Sequence, residues 1–163
     1  MDAPERPVVA DTTPIINLVG VDLLDLLPQL YGAVWIAEAV SHEYVFGRRP
    51  RDPELSTLSW LRIVRAVAPD PSLPKGLGRG EAATISVASM YNARAVLLDE
   101  QLARRLARQR KLPVVGTMGV LLAAKQSGLL RAVRPVIDAM IVQGRHISPA
   151  LRTQVLQIAG EEE

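Results

Sequence analysis

Short apolar runs alternate with amphipathic segments of helix length along nearly the whole chain. Residues 8–10 and 33–36 read as short buried strands. Residues 61–67 read as a strand whose apolar Leu61, Ile63 and Val67 are interrupted by Arg62 and Arg65. Residues 93–98 form a further strand ahead of Asp99, and 113–115 a clearly buried one. Between them lie helical patterns. The segment DTTP is a helix start, in which Asp11, Thr12 or Thr13 can cap and Pro14 suits the first turn. Apolar Ile15, Ile16, Leu18 and Val19, then Leu23, Leu24, Leu26 and Leu27 after Gly20, predict two short helices or one broken at Gly20, stopping near Pro28. Further helices are expected over 38–46, over 80–91 with Ala83, Val87 and Met90 on one side, and over 99–111 with a stripe of Leu102, Leu106 and Ala103. Three more are expected over 117–127, ending at Gly128, over 133–142 and over 149–158. Residues 47–57 and 68–80 are loops rich in proline, glycine and charge.

Strands alternating with helices imply a parallel sheet with crossover helices on its faces. The expected architecture is therefore a single α/β domain over residues 1–163. It has three layers, α/β/α, around a central, mostly parallel sheet of four to five strands. The core covers about residues 7–150, with a C-terminal helical tail over 148–163. No repeat or internal boundary interrupts the pattern.

Composition narrows the chemistry. Hydrophobic residues make up 48% of the 163, which argues against disorder. No apolar run reaches the roughly 18 residues that span a bilayer. The opening MDAPERPVV lacks the order of a signal peptide, so a cytoplasmic location is expected. Cysteine is absent, which removes disulfides, thiolate zinc sites and a cysteine nucleophile. His42 and His146 are far apart and have no ligand-like spacing, which argues against a zinc site built on histidine. Net charge is only +2, yet the stretch QLARRLARQRK carries Arg104, Arg105, Arg108, Arg110 and Lys111 without an acid. That run suits a polyanionic partner, or equally a solvated helix face with cations near its C-terminus.

Four acids stand at strand ends or in helices: Asp11, Glu43, Glu81 and Asp99. Parallel neighbours would carry Asp11 and Asp99 to the carboxyl ends of the sheet, where open α/β sheets bind ligands. Converging carboxylates repel and call for a cation, so a metal site is the leading hypothesis. Each acid also has an ordinary explanation. Asp11 can cap the helix after it, although Thr12 and Thr13 are also available. Glu43 lies three residues after Val40 and shares its face, where an unpaired acid is costly. Glu81, Asp99, Glu100 and Glu38 can each be first-turn acids favoured by the helix dipole. The glycines of GLGRG do not match the Walker spacing, and no Lys-Ser/Thr follows them.

The runs VVADTTPIINL, WIAEAVSHEY, GRGEAATISVA and AVLLDEQLARRLARQRKLPVVGTMGVLLAAKQSGLL together resemble the PIN-domain nucleases. They are most similar to a PIN-like subfamily related to VapC-type toxins, and the resemblance covers about residues 7–150. It implies an Mg²⁺- or Mn²⁺-dependent endoribonuclease that leaves a 5′ phosphate and a 3′ hydroxyl. It also implies catalytic and metal-binding roles for Asp11, Glu43, Glu81 and Asp99. Thr12 or Thr13 takes the place of the hydroxyl residue accompanying the first acid. Glu38 is the alternative to Glu43, and Glu100 is an alternate ligand or support for Asp99, because many relatives carry that acid two residues later. Hard divalent ions suit an all-oxygen donor set. Arg79, Arg104, Arg105 and Arg108 are the candidate RNA-binding residues, contacting backbone phosphates with little base specificity.

With aromatics at 4%, Trp35, Tyr44 and Trp60 are the few candidate stacking platforms. Further implied by the resemblance are a small antitoxin partner and a homodimer, the latter through apolar residues of 15–30 or 120–130 unless these are core. A non-catalytic PIN-like module binding RNA or protein is the main competitor. A receiver-like binding domain is disfavoured, because Lys111 and Lys125 fit its late-strand lysine poorly.

Overall fold

A computed structural model describes residues 5–65 and 67–162. The first four residues of MDAPERPVV, and position 66 within the expected 61–67 strand, lie outside the described residues. Strands β1 (Val8–Ala10), β2 (Val34–Ala37), β3 (Leu61–Val64), β4 (Ala95–Leu97) and β5 (Val114–Val115) form one sheet in the order β3-β2-β1-β4-β5. Every pairing is parallel. Among the described residues eight α-helices follow or connect them: α1 (Thr12–Gly20), α2 (Leu26–Tyr31), α3 (Glu38–Gly47), α4 (Arg79–Met90), α5 (Gln101–Gln109), α6 (Thr117–Gln126), α7 (Arg134–Val142) and α8 (Pro149–Ala159).

Central position explains the sequence of β1. All three of its residues are fully buried, as a strand covered on both faces requires. Helix α4 packs on β1, β2 and β4 and against α5, while α1, α2 and α6 pack together on the sheet's other face. The result is the expected three-layer α/β/α arrangement. Helix α8 buries Val155 and Leu156 in the same core. Among the described residues no helix is long and apolar enough to cross a membrane.

Several local expectations are corrected. The helix expected to stop near Pro28 runs on to Tyr31, because Pro28 occupies the first turn of α2, where no N–H is needed. Gly32, at φ +71°, is what ends it. Strand β5 is half-buried rather than clearly buried, since it is a two-residue edge strand with one neighbour. Helix α5 buries Ala103 and Ala107, with Leu102 and Leu106 only partly covered beside them. Met90 is 60% exposed at the end of α4 and leaves the apolar face.

Strand order decides where a ligand site can form. From β1 the chain moves outward to β2 and β3, then returns to the opposite flank of β1 as β4. The β1/β4 boundary is therefore the topological switch point, the place where open α/β sheets bind ligands. Ala10 is in register with Leu97, and the Asp11 N–H donates to the Leu97 carbonyl at 3.0 Å. Asp11 and Asp99 thus leave adjacent strands at the same edge.

Candidate active site

Asp11 is the most unusual of the four acids. It precedes α1 in cap position yet makes no side-chain cap bond. It is 3% exposed, and its Oδ1 is buried with no hydrogen-bond partner. Burial pushes its carboxyl from 3.8 up to about 7, against the pull of the Thr12 backbone N–H, and the charges of Glu81, Glu43 and Asp99 push the same way. Asp11 therefore feels the charge of all three other acids. An orphaned, desolvated carboxylate is stable only with a proton or a cation beside it.

Glu43 is fixed by two other elements. Its Oε2 accepts the Thr12 hydroxyl at 2.7 Å, and its Oε1 accepts the Gly80 backbone N–H at 2.8 Å. The carboxylate of α3 thereby sits on the N-terminus of α4, where the dipole favours it. Gly80 is obligatory for this contact, since a Cβ there would stand 2.5 Å from Glu43 Oε2. This accounts physically for the GRGE motif. Glu81 reaches back to the Gly78 N–H at 3.2 Å, the side-chain half of a capping box. Desolvation raises the Glu81 pKa, opposed by the Gly78 N–H and helped by Glu100 and Glu43.

Asp99 is held from α1 and α6. Its Oδ1 accepts the Thr117 N–H at 2.7 Å, and its Oδ2 accepts the Thr117 hydroxyl at 2.5 Å and Asn17 Nδ2 at 3.2 Å. Asn17 also donates to the Thr117 hydroxyl, while its own Oδ1 stays buried without a partner. Neither Asn17 nor Thr117 emerged from sequence reasoning. The available signals were a lone amide within the apolar DTTPIINL helix and a threonine following Gly116.

The other expected residues divide. Thr12 is buried and bonded to Glu43, whereas Thr13 is exposed. Glu100 caps α5 by accepting the Ala103 N–H at 2.8 Å. Glu38 lies 3.9 Å from His42 and lines a separate cavity with Arg79. Arg104, a candidate phosphate contact, donates from Nη1 to the Leu98 carbonyl at 2.8 Å. A Cβ on Gly116 would meet both Arg104 Nη1, at 2.5 Å, and Asp99 Oδ1, at 3.0 Å, so the two charges share the space above that glycine. Arg105, Arg108 and Arg79 are exposed. Arg110 pairs instead with Asp70 and Ser72.

Trp35 packs edge-on to Tyr91 beneath Arg62, Tyr44 is buried with its hydroxyl on the Pro53 carbonyl, and Trp60 packs on the core. In the segments named for a homodimer contact, Ile15, Leu18, Leu27, Val120 and Leu121 are core. A larger cavity of about 630 Å³ is lined by residues such as Asp22, Arg49 and Asp52 and by none of the four acids.

Among the described residues no three acidic or histidine side chains come close enough to hold one ion directly. The donor set fits a hydrated Mg²⁺-type ion, which takes one or two carboxylates and keeps several waters. The orphaned Asp11 oxygen is the feature that calls for it.

A family model, DUF3368, described as a PIN domain, matches residues 7–161. The chain belongs to the PIN-domain family. No curated protein matches it. PIN domains are in general nucleases that act on RNA and typically use divalent metals, and at that level the chain is a hydrolase of the nuclease type. In this PIN domain Asp11 and Asp99 leave adjacent strands at the switch point.

Proposed function

We propose that this PIN domain is a metal-dependent endoribonuclease, the toxin of a type II toxin–antitoxin pair, acting in the cytoplasm. One observation carries the reading: a buried Asp11 carboxylate at the sheet's switch point, its Oδ1 without a partner, with three further acids near enough to help raise its pKa to about 7. A divalent ion bound there supplies an activated water and neutralises charge growing on the phosphoryl oxygens.

The chain's own residues do the rest. Asp11 and Asp99 would hold the ion, and Thr117 and Asn17 keep Asp99 in one orientation. Glu43, held by Thr12 and Gly80, and Glu81 would orient water near the ion and serve as its proton acceptors. Thr13 stands at the exposed mouth and contacts the scissile phosphate. Arg105 and Arg108 neutralise backbone phosphates further along the strand, and Arg104 balances the charge of Asp99. Restraint comes from a small antitoxin occupying the acidic groove, and two copies form the homodimer.

The test is hydrolysis of a labelled RNA by the purified chain with Mn²⁺ or Mg²⁺. Cleavage that vanishes with EDTA and in Asp11→Asn supports the reading; full activity in Asp11→Asn overturns it. A second reading, a non-catalytic RNA-binding module, draws on the absence of a three-acid group among the described residues and on the capping bonds of Glu43, Glu81 and Glu100. It predicts RNA binding that neither metal nor Asp11→Asn alters. A gene for a small DNA-binding protein directly upstream supports the toxin role.

A further inference from the structure

A cavity of about 340 Å³ opens beside Asp99. One wall is made by Thr13, Asn17 and Thr117, so the cavity adjoins Asp99 and the two side chains that hold it. The loop joining α7 to α8 makes the other wall with Arg145 and His146, and Met118, Met140 and Leu151 add apolar surface. This loop has no part in the metal chemistry of the four acids.

The loop is built rather than loose. Gly144, at φ +89°, ends α7 with its N–H on the Ile141 carbonyl, and the Arg145 N–H bonds the Met140 carbonyl at 3.0 Å. That is the paired closure of a Schellman motif, which fixes the direction in which the chain leaves the helix. At the far end the Ser148 hydroxyl caps α8 by accepting the Leu151 N–H at 3.1 Å. Gln143 Nε2 donates to the Gly20 carbonyl, tying the loop's root to the end of α1. Between these anchors, the side chains of Arg145 and His146 make no hydrogen bond or ion pair with any described residue, and Arg145 Nε is buried without a partner. An arginine held in a hydrogen-bonded loop across the cavity from Asp99, yet paired with no acid, is poised for an anion that arrives from outside.

We propose that this cavity is a subsite for one unpaired ribonucleotide flanking the scissile phosphodiester. Arg145 and His146 contact its phosphate, and Met118, Met140 and Leu151 receive the base. The volume lies at the low end of small-ligand pockets, which suits a single nucleotide and excludes a duplex. No Phe, Tyr or Trp lines it, so apart from the His146 ring the base is held by apolar contact with little discrimination among bases. The consequence is a preference for single-stranded or looped RNA, whose bases can leave the stack. This inference rests on the nuclease reading for its biological meaning but is tested without cleavage.

The experiment is a ¹H–¹⁵N NMR titration of the full chain with uridine 5′-monophosphate in EDTA, with inorganic phosphate and 2′-deoxyuridine 5′-monophosphate as parallel arms. The expected result is saturable shifts of the Met118 and Gly144 to Ile147 amides, stronger for the ribonucleotide than for phosphate. Arg145→Ala, and Leu151→Trp, which fills the cavity from the partly exposed start of α8, each weaken binding about tenfold, a change of about 1.4 kcal/mol. Cleavage of a short RNA with Mn²⁺ is then followed in the same variants, where Leu151→Trp raises KM and leaves kcat near wild type. Shifts confined to Arg105 and Arg108, or equal responses to phosphate and nucleotide, each overturn the subsite. If Asp11→Asn abolishes cleavage while the loop stays silent, the subsite fails and the nuclease reading stands. Loop shifts in a chain that cleaves nothing preserve the subsite and remove that reading.

Discussion

Removing the charge at Asp11 should stabilise the protein, and by an amount that depends on pH. The native carboxyl titrates near 7, compared with 3.8 when solvated. Between those values the native state keeps a proton that the unfolded chain has released. Stability therefore falls as pH rises from about 4 to about 7, and the loss is complete above 7. At about 1.4 kcal/mol per pH unit, the interval from 3.8 to about 7 corresponds to about 4 kcal/mol. Asp11→Asn preserves shape and cannot ionise. The difference in unfolding free energy between variant and wild type should thus grow by about 4 kcal/mol in the variant's favour from pH 4 to pH 8. Urea denaturation in EDTA across that range measures it. Repeating the pH 8 series with Mn²⁺ at about 100 times its Kd should return about 2.7 kcal/mol to the wild type and little to the variant. A difference constant to within about 1 kcal/mol from pH 4 to pH 8 would refute both the desolvation argument and the need for a cation.

Gly80→Ala puts a methyl against the end of the exposed Glu43 side chain, which must swing away; urea denaturation should change by less than about 1 kcal/mol, while RNA cleavage is abolished as Glu43 moves. Thr117→Val removes a hydroxyl from Asp99 and leaves the backbone bond, so it should cost about 1–3 kcal/mol in stability and lower kcat more than it raises KM. The double substitution Arg105→Ala with Arg108→Ala should leave the pH profile of cleavage unchanged and reduce the salt dependence of RNA binding by a slope of about 0.7 for each phosphate no longer neutralised. Glu161 is held near pKa 2 although its desolvation opposes this, because the Val133 N–H, Lys125 and the Arg134 N–H all donate to it. Its contribution is present above the unfolded value of 4.5 and fades as pH falls toward 2, so Glu161→Gln should be destabilised relative to wild type at pH 7 and nearly equal to it at pH 2, as thermal unfolding reads directly.

Periodicity and breakers fixed much of this protein by themselves. Alternating strands and helices, unbroken apolar VVA for a central strand, and glycines or prolines at element ends are local signals that act within a few residues, so a linear reading captures them. The candidate acids were legible too, because a strand-to-helix junction is visible in one dimension. What the acids do there was not. Glu43 and Gly80 lie 37 residues apart, and Asn17 and Asp99 lie 82 apart, so the bonds between them exist only once β1 and β4 are neighbours and α3 meets α4. Desolvation of Asp11 likewise depends on the layers that cover it, not on its sequence neighbours. The same holds for the bond from Arg104 to the Leu98 carbonyl, which its place in a basic run does not show. Local chemistry chose the elements; three-dimensional packing chose which charges are left without partners, and those orphans define the site.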